Sequence, residues 1–184
     1  LCVRRLAESV KQPCSLNRLS NLIKATGTPC SPSTVMEYVR YLQESCLLIS
    51  IDNYASKFVE KETIKKHYFV DNGLLHLFIN NPNTSLLENL CTITLYKKYG
   101  KGLYYYNRNI EVDFYVPDEG LAVQASYQMS DEETIEREVK ALVTLHGLYP
   151  LKRAMIITYE DEGEIVRDGL KIEIRPAWKW VLEG

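Results

Sequence analysis

The chain has 184 residues, enough for one domain or two small ones, and its 46 % apolar and 25 % charged residues are the balance of an ordinary globular protein. Net charge is −2, which excludes a global positive field for nucleic acid, so any basic patch must be local. Five cysteines without a CxxC pair, and three histidines far apart at 67, 76 and 146, argue against a disulfide framework or a zinc site and for a reducing cytoplasm. No apolar run approaches the ~20 residues of a membrane helix, and no signal peptide is expected. The chain opens at Leu1 inside a helical pattern, which leads to the expectation of a fragment of something longer.

Residues 1–11 predict a helix with Val3, Leu6 and Val10 on one face. Residues 15–26 predict a second, with Leu16, Leu19, Leu22 and Ile23 inward, Ser15 as cap and Gly27 as breaker. A third follows over 31–45, capped by Ser31 or Ser33, with Pro32 in its first turn and an apolar stripe of Val35, Tyr38, Val39 and Leu42. Strand chemistry at 46–51 and 66–70 flanks a polar, lysine-rich excursion. Three helices and a hairpin are the layout of a winged helix, with 53–65 as its wing. A short capped helix is expected at 71–79, and the turn-rich stretch 80–85 is the expected boundary between domains 1–80 and 81–184.

The second half predicts a helix at 86–100, strands at 102–107, 110–116 and 120–126, a helix at 130–148, a buried strand at 153–158, a hairpin over 164–175 and a last short helix. The 130–148 helix has Ser130 or Asp131 as cap and Ile135, Val139, Leu142, Val143 and His146 as its core face. That order predicts a mixed sheet with helices on its faces, and an α/β (α+β) fold class.

The stretches STVMEYVRYLQESCLLISI, KKHYFVDNGLL, LLENLCTITLYKKYG, YYYNRNIEVDFYV and PAWKWVLEG together resemble the C-terminal region of bacterial and archaeal AAA-type ATPases. The resemblance covers nearly the whole chain. It implies a winged helix followed by a restriction-endonuclease-like, PD-(D/E)xK nuclease-like domain, and an ATPase module of the same chain preceding both. No phosphate-binding loop is present: the one Gly-Lys pair, Gly100-Lys101, is followed by Gly102 in place of Ser or Thr. ATP and its Mg²⁺ are therefore expected only in the preceding module.

Mapped by motif, the resemblance makes Glu88 the helix acid and Asp113 the strand aspartate of a metal site; Gln124 replaces its second acid and Ser126 its lysine. Glutamine supplies an oxygen without charge, and two carboxylates suffice for weak Mg²⁺ binding at most. Serine carries no cation, and loss of a positioned proton-transfer group costs ~10²–10⁴ in rate. Lys140 on the following helix is weighed as a migrated lysine, against a plain Glu136–Lys140 surface pair beside Glu133–Arg137. The expected function is a non-catalytic module that binds nucleic acid, DNA among the candidates, or a protein partner. A divergent Mg²⁺-dependent nuclease and a structural oligomerisation module are the alternatives. For DNA contact the candidates are Ser33, Thr34 and Arg40 on the third helix and Lys57, Lys61, Lys65 and Lys66 in the wing. Tyr104, Tyr105 and Tyr106 are expected to pack on both strand faces, Trp178 and Trp180 to seal the core, and His146 to be structural.

Overall fold

The computed structural model describes residues 1–80 and 82–183. The chain divides into two compact units, Leu1–Ile93 and Thr94–Gly184. The division falls inside a helix, later than the 80–85 stretch in which the sequence places it; Asn81 of that stretch lies outside the described residues.

The first unit carries α1 (Cys2–Glu8), β1 (Cys14–Ser15), α2 (Leu16–Lys24), α3 (Pro32–Glu44), β2 (Leu48–Asn53), α4 (Phe58–Thr63), β3 (Ile64–Phe69) and α5 (Asn72–His76). It also holds the first part of α6 (Asn83–Tyr99). Its strands form an antiparallel set in the order β1-β3-β2. Caps set the helix starts: Ser15 accepts the Arg18 N–H, Ser31 the Thr34 N–H and Asp71 the Leu74 N–H. Leu6, Val10, Leu19, Ile23, Val35 and Val39 fill the core between these helices and the strands. Tyr38 departs from its expected place in the stripe. It is 46 % exposed and shares one side of α3 with exposed Tyr41, three residues on. The expected wing is built otherwise than as an open loop. The short α4 occupies it, started by the Glu60 carboxylate accepting the Lys57 N–H.

The second unit contains β4 (Tyr104–Asn107), β5 (Glu111–Val116), β6 (Leu121–Ala125), α7 (Glu132–Leu148), β7 (Arg153–Thr158), β8 (Gly163–Arg167), β9 (Leu170–Pro176) and α8 (Ala177–Leu182). Its sheet is mixed, ordered β4-β5-β6-β7-β9-β8, with β6, β7 and β9 mutually parallel. The parallel step from β6 to β7 needs a crossover, which α7 supplies. With α7 and α8 packed on the sheet, β7 is buried from Ala154 to Thr158, and Ala154, Met155, Ile156 and Ile157 form an unbroken apolar run. The outer strand β8 is mostly exposed, and its charged residues Glu164 and Arg167 suit an edge. Asp168 and Gly169, both at positive φ, close its hairpin with β9.

Gly120 closes the β5–β6 turn at φ +58°, where a side chain is strained and its Cβ would lie 3.2 Å from the Lys152 amide. Its carbonyl accepts the Lys152 and Arg153 N–H groups at 2.8 and 3.2 Å and so fixes where β7 begins.

Three further expectations are corrected. Trp178 is 58 % exposed and does not seal the core; Trp180 is half-buried. The inward face of α7 is Glu138, Val139, Ala141, Leu142 and Leu145, so Val143 and His146 sit at its margin. Glu136 pairs with Arg167 across to β8, and Arg137 with its neighbour Glu138; neither Lys140 nor Glu133 is the partner found. The tyrosine strand packs as expected, with Tyr105 and Tyr106 buried and Tyr104 half-buried.

Candidate functional site

Asp113 and Gln124 lie at the point where the β5–β6 ladder ends. Backbone pairing runs through Val116–Leu121, Tyr115–Ala122 and Phe114–Val123. One step on, side chains take over from main chain. The Gln124 carbonyl Oε1 accepts the Asp113 N–H at 2.8 Å, and the Gln124 Nε2 donates to the Glu111 carbonyl at 3.1 Å. Reciprocally, an Asp113 carboxylate oxygen accepts the Ala125 N–H at 3.1 Å. The two side chains thus satisfy backbone groups of strands that have moved apart, groups that would be costly to bury unpaired. Gln124 is 3 % exposed and uses both ends of its amide in this way. Ser126, also buried, donates its hydroxyl to the Gln128 carbonyl, and its own N–H goes to the Ile157 carbonyl.

Glu138 joins this cluster, a residue the sequence reading passed over. It comes from the buried side of α7, which packs on β5 and β6. One carboxylate oxygen accepts from Arg137 Nε at 3.1 Å and Nη2 at 2.7 Å. Burial raises its pKa, the Arg137 hydrogen bond opposes this, and the neighbouring charges of Asp113 and Glu111 raise it further. The signal was present: Ile135, Glu138, Val139 and Leu142 share one helical stripe at i, i+3, i+4 and i+7, and an acid there faces the sheet.

Glu88 belongs to the first unit and serves a different purpose. It is 2 % exposed, and its Oε1 accepts from Tyr68 Oη at 2.7 Å and from Lys66 Nζ at 3.4 Å. The adjacent Asn89 clamps β3 from both sides, accepting the Phe69 N–H and donating to the Phe69 carbonyl and to Asn72 Oδ1. Asn72 in turn donates to the Leu86 carbonyl. The motifs YFVDNGL and LLEN are therefore two halves of one lock between β3, α5 and α6. Among the described residues no group of three or more His, Cys, Asp or Glu side chains is arranged to hold a metal ion.

The residues expected to touch DNA are scattered in their circumstances. Lys66 is corrected outright: it is fully buried beside Glu88 and cannot reach a phosphate. Lys65 pairs with Asp52 at 2.9 Å, Lys61 lies over the Tyr54 ring, and Lys57 is exposed. On α3, Arg40 pairs with Glu44 and lies over Tyr41, while the hydroxyls of Ser33 and Thr34 bond to that of the cap Ser31. His146 is half-buried and its Nδ1 accepts the Leu151 N–H, a structural bond that fixes the turn after α7.

Residues 1–85 match the model of a family described as a domain of unknown function (DUF8612). The chain is also similar to the uncharacterized protein MJ1544 of Methanocaldococcus jannaschii, at 31 % identity over 183 aligned residues. The match takes in 91 % of this chain and 40 % of that relative, so the chain spans well under half its length. No solved structure matches the chain. Among the described residues no helix is long and apolar enough to cross a membrane.

Proposed function

We propose that the chain is a non-catalytic binding module from the C-terminal part of an AAA-type ATPase, working in the cytoplasm. In this reading the first unit is a winged helix and the second a PD-(D/E)xK nuclease-like domain whose site has become structural. One observation carries it: the Asp113 and Gln124 side chains stand in for ladder hydrogen bonds between β5 and β6. A Gln124 whose oxygen and nitrogen are both committed to the fold has little left to offer a metal. Ser126 provides no cation where the nuclease chemistry wants one.

The partner that suits the first unit is a protein. Tyr38 and Tyr41 are exposed on one side of α3, whereas Arg40 is paired with Glu44 and the lysines of the would-be wing are largely engaged within the fold. Non-specific nucleic-acid binding rests on cations that release counterions from phosphates, and this surface offers few. DNA affinity at low salt is accordingly expected to be undetectable, and a salt-dependent complex would reverse the choice of partner.

A second reading, a divergent Mg²⁺-dependent nuclease, draws on Glu138. Its buried carboxylate feels the charge of Asp113, so helix α7 brings a second acid within electrostatic range of it. The experiment that separates the two incubates the purified chain with single- and double-stranded DNA and RNA in Mg²⁺ or Mn²⁺. No cleavage is expected. Cleavage lost in both Asp113→Ala and Glu138→Gln would replace the first reading with the second.

A further inference from the structure

The first unit leaves two apolar features uncovered, one a hollow and the other a projection. The hollow is a cleft of about 430 Å³ between α1, α2 and α3, lined chiefly by Leu1, Val3, Ile23, Tyr38, Tyr41 and Leu42. The projection is the start of α4, where Phe58 and Val59 are 78 % and 74 % exposed and the helix buries none of its residues. A cleft of that size lies in the range that encloses whole ligands, and an aromatic ring with a branched side chain is smaller than most of these. Charge is arranged to match. Exposed Glu37 stands one turn before Tyr41 on the α3 side of the cleft, and exposed Arg4 and Lys24 directly follow Val3 and Ile23 on the other side. On α4, exposed Lys57 precedes Phe58 and exposed Glu62 follows Val59 by one turn. Among the described residues none of these five charged side chains has an ion-pair partner.

We propose that Phe58 and Val59 of one copy of the chain seat in this cleft on a second copy. The proposal names the partner of the α3 surface, and so rests on the reading of the first unit as a protein-binding module. One chain supplies both halves of the contact, an apolar knob and an apolar hollow, and removing both from water drives the docking. The charges give it a direction. Lys57 meets Glu37 on the α3 side, and Glu62 meets Arg4 and Lys24 on the side of α1 and α2, whereas the reverse entry sets like charges against each other. A knob that fits a hollow elsewhere on the same chain makes a heterologous contact, so copies join reciprocally in pairs or head to tail. Both surfaces are small, so the association is weak and reversible.

The test is sedimentation equilibrium of the full 184-residue chain at concentrations from about 10 μM to about 1 mM, where a small interface associates. An average mass that rises with concentration is expected. Phe58→Glu removes the knob and Tyr38→Glu charges the hollow. Each should weaken association about tenfold to a hundredfold, the value of one buried aromatic side chain. Both positions are exposed, and unchanged circular dichroism is expected. Mixed together, these two variants should form a one-to-one complex, because one keeps its hollow and the other its knob. Glu37→Lys should weaken association several-fold, and Lys57→Glu added in the same chain should restore it, a recovery that damage to the fold cannot produce. A monomer at every concentration, a Phe58→Glu chain that associates as the unsubstituted one does, or a mixture that stays monomeric would overturn self-docking. None of these outcomes bears on the choice of protein over DNA, which DNA binding at low salt decides separately.

Discussion

Glu88 and Asp113 carry the same expected role, yet their surroundings differ in kind. Glu88 sits in a sealed core with a buried lysine and a tyrosine hydroxyl as its partners. Asp113 sits half-buried at the open end of a strand pair, with a backbone N–H and the field of another acid beside it. A carboxylate with a buried cation is compensated and inert. Asp113 shares its surroundings with the acid Glu138 and the cation Arg137, so no single buried counterion is assigned to it as Lys66 is to Glu88. A motif residue therefore does not reveal its role by type; its counterion does.

The largest way to break this contrast is at Glu88. Glu88→Ala leaves Lys66 charged and buried without its carboxylate, and should cost about 3–5 kcal/mol in chemical denaturation. The double substitution Lys66→Met with Glu88→Leu should recover most of that loss, because it removes both charges. A Glu88→Ala variant of unchanged stability would show that the ion pair does not hold the first unit together.

His67, next to Lys66 on the same strand, sharpens the contrast through pH. It is buried and hydrogen-bonded to Ser50, and its pKa is lowered to about 4 by burial, then by Lys65, against a smaller opposing pull from Asp52. The unfolded chain takes up a proton near pH 6.5, whereas the fold refuses it until about pH 4. Stability is therefore full above pH 6.5 and falls as the pH drops toward 4, by about 3 kcal/mol in all. In His67→Gln that part of the acid dependence should vanish, seen as a flatter profile of denaturation midpoints between those limits. Retention of the full slope would move its origin to other groups.

At the other end of the comparison, Gln124→Ala removes two hydrogen bonds that bridge the splayed strands, at a cost of about 1–3 kcal/mol. Hydrogen exchange should quicken at the Asp113 amide, which loses its acceptor, while the Tyr115 amide inside the ladder is preserved. Equal quickening along the whole of β5 would mean that Gln124 supports the sheet generally and not the divergence alone.

Much of this was legible in residue order. Caps at Ser15, Ser31, Asp71 and Asp131, and the strand at 153–158, follow from local chemistry acting over one turn or one pleat. So did the adjacency of Asp113 and Gln124, since a short turn between alternating strands leaves one register. The exposure of Tyr38 and Trp178 was not legible, because an aromatic on an apolar stripe is buried only if another element covers it. Nor was the buried state of Lys66, which depends on a glutamate 22 residues away in sequence. By itself the sequence determined the elements, their ends and the mixed α/β class, through interactions between residues close along the chain. Only the tertiary structure decided which charges meet: Lys66 with Glu88, and Glu138 beside Asp113. The physical reason is that electrostatic energy depends on distance and burial in space, and neither is set by spacing along the chain.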